Sequence, residues 1–266
     1  MKKISWIAGL FVLVFFSGCF DTVEEYTIAE NGSGTFVNNL DMGKMLGLAK
    51  TMGGGDEMKE FEKLNIDTLI NLKDLKDSMT KLNDAEKKIV ATGTLKVQMN
   101  AKEEKFNFTF TFPFSNTSEI ASIQRILKKA KGDVVGDIMT KLLGEGNNKN
   151  GDMLGGMEEG EGQQDEMGAN LDSYYTSVYE KGKFSRKLNK EKYANVSDDK
   201  ALKSLQEMAQ MGLSINMKTV INLPKPAKKA EGKGVKLSDD KKKITMEGTL
   251  DDFFEDGSYF EYNIEY

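Results

Sequence analysis

Few side chains in this chain can do covalent or metal chemistry near neutral pH. No histidine occurs among its 266 residues, so the side chain that titrates nearest neutrality and supplies the commonest nitrogen ligand is missing. Cys19 is the only cysteine, which excludes an internal disulfide. Ser-His-Asp catalysis, Cys-His catalysis and zinc centres built from His and Cys all fall outside this composition. Two resources remain. Asp251, Asp252, Glu255 and Asp256 crowd together ahead of Gly257, and glycoside hydrolysis needs only two carboxyl groups at a set separation. Clusters of that kind are ordinarily solvated helix ends, and this one lacks the Asp-x-Asp-x-Asp-Gly spacing of a calcium loop. Met42, Met45, Met52, Met153 and Met157 offer thioethers, soft ligands suited to Cu(I), although methionine equally serves to fill irregular cores. The alternatives open to chemistry are therefore a Met-based Cu(I)-binding protein and a carboxylate-dependent hydrolase. Neither outweighs its bland counterpart, so no catalytic residue, metal ligand or cofactor is assigned and the chain is expected not to be an enzyme.

The surroundings of Cys19 carry more information than any other stretch. Lys2 and Lys3 open the chain, Ile4 to Phe16 run uncharged and largely apolar, and Phe16-Ser17-Gly18-Cys19 closes the segment. This is the layout of a secretory signal. At about 1.5 Å per residue the apolar run covers roughly 20 Å as a helix, well short of the roughly 30 Å of a hydrocarbon core, so a permanent transmembrane anchor is not expected. A cysteine directly after two small residues resembles the lipobox of bacterial lipoproteins. That resemblance implies cleavage before Cys19 and a diacylglycerol thioether on its sulfur, and hence membrane attachment through lipidated Cys19. Several acyl chains hold a protein durably where one binds only marginally. The residue after the cysteine is Phe20, and the aspartate that would resemble an inner-membrane retention signal comes only at position 21, so the resemblance points to an outer-membrane lipoprotein.

Composition narrows the partners. The precursor has a formal charge of −5, and the departure of Lys2 and Lys3 makes the remainder more negative still. Nucleic-acid affinity comes mostly from neutralising phosphates, so no nucleic-acid partner is expected; the basic run Lys241-Lys242-Lys243 is preceded by Asp239 and Asp240. The only tryptophan, Trp6, leaves with the signal and with it the best platform for stacking a sugar. An envelope protein or glycan is the partner class that remains. Asn-x-Ser/Thr triplets such as Asn107-Phe108-Thr109 are short enough to arise by chance. Gly53-Gly54-Gly55 is followed by Asp56 and Glu57, which would repel a phosphate.

The elements that must position these residues read as an α+β fold, an antiparallel β-sheet built from hairpins with helices packed on one face. Residues 1–18 are the signal, 19–24 a short tether, 25–143 a first α+β half, 144–169 a disordered linker, and 170–266 a second half of the same or an adjoining domain. Glu25 to Ala29 and Thr35 to Asn39 flank Asn31-Gly32 as a hairpin. Helices are expected from Asp41 to Met52 and from Asp56 to Leu64. Ile66 to Asn71 reads as extended, and Leu72, Leu75, Met79 and Leu82 fall at helical spacing. Thr94 to Met99 and Lys105 to Phe112 form the clearest hairpin, with Phe106, Phe108, Phe110 and Phe112 on one face of one strand and Pro113 as its end. Ser118 is expected to cap a helix with Ile120, Ile123, Ile126, Leu127 and Ala130 on its apolar face. The Gly, Asn, Asp, Glu and Met-rich stretch 144–169 has too little apolar area to offset its backbone entropy. Beyond it come strands at Tyr174 to Glu180 and Lys183 to Leu188, a helix begun by Asp198 or Asp199, a strand from Leu213 to Leu223, and strands at Val235 to Leu237, Lys243 to Met246 and Ser258 to Ile264. A short helical turn is expected at Asp251 to Glu255.

Overall fold

The computed structural model describes residues 18–44, 47, 65–76, 79–143, 171–210 and 214–266. The signal up to residue 17, positions 45–46 and 48–52 of the helix expected at 41–52, all of the helix expected at 56–64, and the linker expected at 144–169 lie outside the described residues; Asp41, expected to open the first of these helices, instead ends a strand. Twelve described strands form two sheets. In chain order they are β1 (Gly18–Ile28), β2 (Gly34–Asp41), β3 (Asn65–Asn71), β4 (Thr94–Asn100), β5 (Lys105–Phe114), β6 (Tyr175–Glu180), β7 (Lys183–Leu188), β8 (Ser214–Asn222), β9 (Lys229–Glu231), β10 (Val235–Leu237), β11 (Lys243–Thr249) and β12 (Tyr262–Glu265). The larger sheet has the order β10-β11-β8-β1-β2-β5-β4-β3, and the smaller β6-β7-β12-β9. The fold is α+β and its pairing is antiparallel except where β1 runs parallel to β8.

The hairpins organise the larger sheet. Gly32 takes the positive φ that the β1–β2 turn requires, at 91°, and the turn closes through the Ala29 N–H donating to the Ser33 carbonyl at 2.8 Å. Tyr26 stands opposite Phe36 and Phe36 opposite Phe112, while Leu40 and Val97 flank Phe108. All five phenylalanines of β5, Phe106 through Phe114, are buried on one face. The positions between them, such as Asn107, Thr109 and Thr111, face the other way and are half-buried. Strand β5 does not stop at Pro113 but continues to Phe114. Its β4 partner has already ended at the Thr94–Thr111 pair, so Pro113 stands opposite Thr35 of β2 alone, and a proline is tolerated where one ladder is absent.

Helix α1 (Asp84–Val90) and helix α2 (Ile120–Leu143) cover the buried face. The spacing of Leu72, Leu75, Met79 and Leu82 does not make one helix with α1. Leu72–Leu75 is a single 3₁₀ turn, and α1 starts afresh at a capping box in which Asn83 and Glu86 exchange hydrogen bonds. All four apolar residues are nevertheless buried. The start of α2 is organised by Asn116 rather than Ser118, since the Asn116 side chain accepts from the Ser118 N–H through a 3₁₀ turn, Thr117–Glu119. Its expected apolar face, Ile120, Ile123, Ile126, Leu127 and Ala130, is buried as a set.

The smaller sheet folds over the same side of the core, where Tyr26 stacks on Tyr179 at 5.8 Å and meets Phe184 edge-on at 6.2 Å. A second apolar cluster joins Tyr174, Tyr175, Leu202, Ile215, Leu250 and Phe253 beneath α3 (Lys190–Tyr193), α4 (Lys200–Gln210) and α5 (Leu250–Glu255). Asp199 starts α4 by accepting from the Ala201 and Leu202 N–H groups. Of the strand expected at Ser258 to Ile264, the first part belongs to a 3₁₀ turn, Gly257–Phe260, and only Tyr262–Glu265 joins the sheet. Strand β9 and helix α3 carried too few residues to announce themselves.

Candidate functional site

Cys19 sits within β1, which extends from Gly18. Residues 19–24, expected as a tether, are therefore part of the sheet, pairing with β8 from Phe20 and with β2 from Asp21. The parallel pairing runs through Thr27 and Asn222. It puts the β-strands before and after residues 144–169 in one sheet, so the segment next to Cys19 belongs to the main body of the fold. Asn216 donates to the Asp21 carboxylate at 2.7 Å, and Asn222 donates to Glu25 at 2.6 Å, fastening the two strands through side chains as well.

The acidic cluster is occupied in building α5. Asp252 accepts from the N–H and hydroxyl of Thr249 at 2.7 and 2.9 Å, and Thr249 Oγ1 accepts from the Asp252 N–H. Asp256 accepts from the Ser258 N–H and hydroxyl and is paired with Lys233, and these donors hold its carboxyl down at about 2. Asp251 and Glu255 are exposed. The two central carboxylates are thus tied to local backbone and a lysine, with neither aimed at a shared point. Met42 is buried in the main core, which is the packing use of methionine; Met45, Met52, Met153 and Met157 lie outside the described residues. Among the described residues no group of three His, Cys, Asp or Glu is placed to hold a metal ion, and no helix is long and apolar enough to cross a membrane.

A polar network between the two sheets was not foreseen from the sequence. Glu24 occupies a core-facing position of β1, in register with buried Asn38 of β2. Tyr26 Oη donates to Glu24 Oε2 at 2.7 Å, and Gln124 Nε2 from α2 donates to Tyr26 Oη at 2.7 Å. Across the interface, Arg186 of β7 pairs with Asp172 at 2.8 Å and lies 4.1 Å above the Tyr175 ring. Its Nε is buried without a hydrogen-bond partner. Burial opposes the Arg186 charge, but Asp172 and the neighbouring tyrosines outweigh it and hold the guanidinium firmly protonated. Burial first, then the Glu24 charge, push the Tyr26 and Tyr179 phenols above their ordinary range; burial and Tyr179 do the same for Tyr262. These hydroxyls remain protonated donors at any physiological pH, which fits a latch between sheets and gives none of them the near-neutral pKa of a general base. The signal that could have found them is a polar residue at an alternating strand position that should face inward, as Glu24 does two residues before Tyr26.

No family model matches this chain. No curated protein matches it, and no solved structure does either.

Proposed function

We propose that the chain is a lipid-anchored extracytoplasmic protein of the cell envelope, held at the outer membrane by acylated Cys19, that binds or organises another envelope component without catalysing a reaction. The observation that carries this reading is the order Lys2-Lys3, apolar run, Ser17-Gly18-Cys19, ending where strand β1 begins. Cleavage before Cys19 would remove the apolar segment and leave an acyl-bearing residue at the end of a strand in the middle of an eight-stranded sheet. An anchor joined to the sheet without a stalk holds the folded body at the bilayer surface, the arrangement suited to organising neighbours there. The use of Asp252 and Asp256 in caps supports a non-catalytic role.

Replacing Cys19 with alanine tests the anchor. Cys19→Ala is expected to move the protein from the membrane to the soluble fraction and to abolish incorporation of labelled fatty acid. A variant that stays with the membrane and still takes up label would sink the proposal. Crosslinking in cells, followed by identification of what co-purifies with the wild-type chain and not with Cys19→Ala, then tests the envelope partner.

A further inference from the structure

Among the described residues, strand β3 ends the larger sheet and pairs on one side only, with β4. Open edges invite further strands, and proteins that keep them unpaired place lysine, proline, bulges or inward charges there. Asn65-Ile66-Asp67-Thr68-Leu69-Ile70-Asn71 has none of these. Its register with β4 is unbroken over seven pairs. Its single charge, Asp67, is already met by Lys96 at 3.3 Å and accepts from Gln98 at 2.9 Å. Leu69 is 66% exposed, the most exposed large apolar side chain among the described residues.

The strand also reads nearly alike in both directions about Thr68, with Asn65 matching Asn71 and Ile66 matching Ile70. We propose that this edge is the interface between two copies of the chain, joined antiparallel about a two-fold axis through Thr68. Asn65 then faces Asn71 of the second copy, Ile66 faces Ile70, Asp67 faces Leu69, and Thr68 faces itself. Ile66 and Ile70 already pack partly buried against the core, so their pairing carries the apolar stripe across the junction. No like charges stand opposite each other. Lys96, beside Leu69 in the β4 register, lies on the side of Asp67 of the second copy. Every second residue of an edge strand points its N–H and C=O outward, giving roughly six to eight intermolecular hydrogen bonds in this register. Such an axis stands normal to the sheet, so the β1 starts of the two copies lie at one level and a single bilayer can hold both when the sheet lies along it.

The register makes the test specific. Residues directly opposite in an antiparallel pair have Cα atoms about 4.5–5.5 Å apart, within the span of a disulfide, whereas Asp67 and Asp67 of the second copy are offset by two residues and sit roughly 8 Å apart, beyond it. Full-length protein in detergent, oxidised and run without reductant, is expected to give a covalent dimer for Thr68→Cys. The single variants Asp67→Cys and Leu69→Cys should not crosslink, but the double variant should. Wild type and the Cys19→Ala background control for the resident cysteine. By light scattering the wild type is expected at twice the chain mass and Thr68→Lys, which sets two cations on the axis, at the chain mass. Thr68 is exposed, so these substitutions leave the core untouched. A monomeric wild type, or Thr68→Cys crosslinking no better than Asp67→Cys, overturns the proposal. So does a dimer that Thr68→Cys fails to trap.

Discussion

Glu86 is a carboxylate placed where few are found, 5% exposed on α1. Lys129 at 2.8 Å and Arg125 at 2.9 Å reach it from α2, and the Asn83 N–H donates to its other oxygen. Lys129 first, then the Asn83 backbone, hold its carboxyl below the usual carboxylate range. A group whose folded-state pKa is depressed contributes stability that is complete above its unfolded value, about 4.3, and that is lost as pH falls through the folded value. Glu86→Gln is therefore expected to be less stable than wild type at pH 7, and the gap in urea midpoint should close as pH falls below the unfolded value and through the lower folded one. A gap independent of pH would mean the side chain matters for shape alone. Asp256, held at about 2 by Lys233 and Ser258, likewise keeps its contribution until pH falls toward that value.

At the scale of elements, β5 is the strand on which the core depends. Phe110 is fully buried between Leu95 of β4 and Asn38 of β2. Phe110→Ala is expected to cost about 3–5 kcal/mol, read as a lowered urea midpoint at unchanged slope. A loss under about 1 kcal/mol would show that the neighbouring rings collapse into the space. This element was legible in the sequence because alternation of phenylalanine with asparagine and threonine has only one interpretation, a strand with one wet face. The α2 face and the β1–β2 turn were legible for the same kind of reason, a local period or a turn residue. Local spacing misled at Leu72 to Leu82, where four apolar residues are buried by a 3₁₀ turn and the turn after it rather than by a helix. What could not be read locally was pairing. The neighbours Thr27 and Asn222 are joined by no motif, and Arg186 and Glu24 show their roles only once two sheets are laid together. Local reading expected residues 19–24 to be a short tether, and only the fold showed them to be part of β1.

The whole molecule is held as one body by the contact between its two sheets, and the tyrosines there set its alkaline limit. Tyr26, Tyr179 and Tyr262 are buried, with phenols pushed above the ordinary value of about 10 by burial, reinforced by Glu24 or by one another. Because the folded-state pKa is the higher one, the stability linked to these groups is whole below pH 10 and is lost as pH rises through the folded values. Tyr174, raised to about 12 by burial and by the Asp199 carboxylate that accepts its hydrogen bond, adds to the same alkaline loss from the second cluster. Alkaline titration followed at 295 nm should then show the buried phenols of Tyr26, Tyr174, Tyr179 and Tyr262 ionising only above 10. They are expected to ionise in one cooperative step that coincides with loss of the near-ultraviolet circular dichroism. Gln124→Leu, which removes the donor that α2 gives to Tyr26, is expected to bring the cooperative step to lower pH. Ionisation of Tyr26, Tyr179 and Tyr262 near 10, with the dichroism unchanged, would show that the sheets are not closed over these rings.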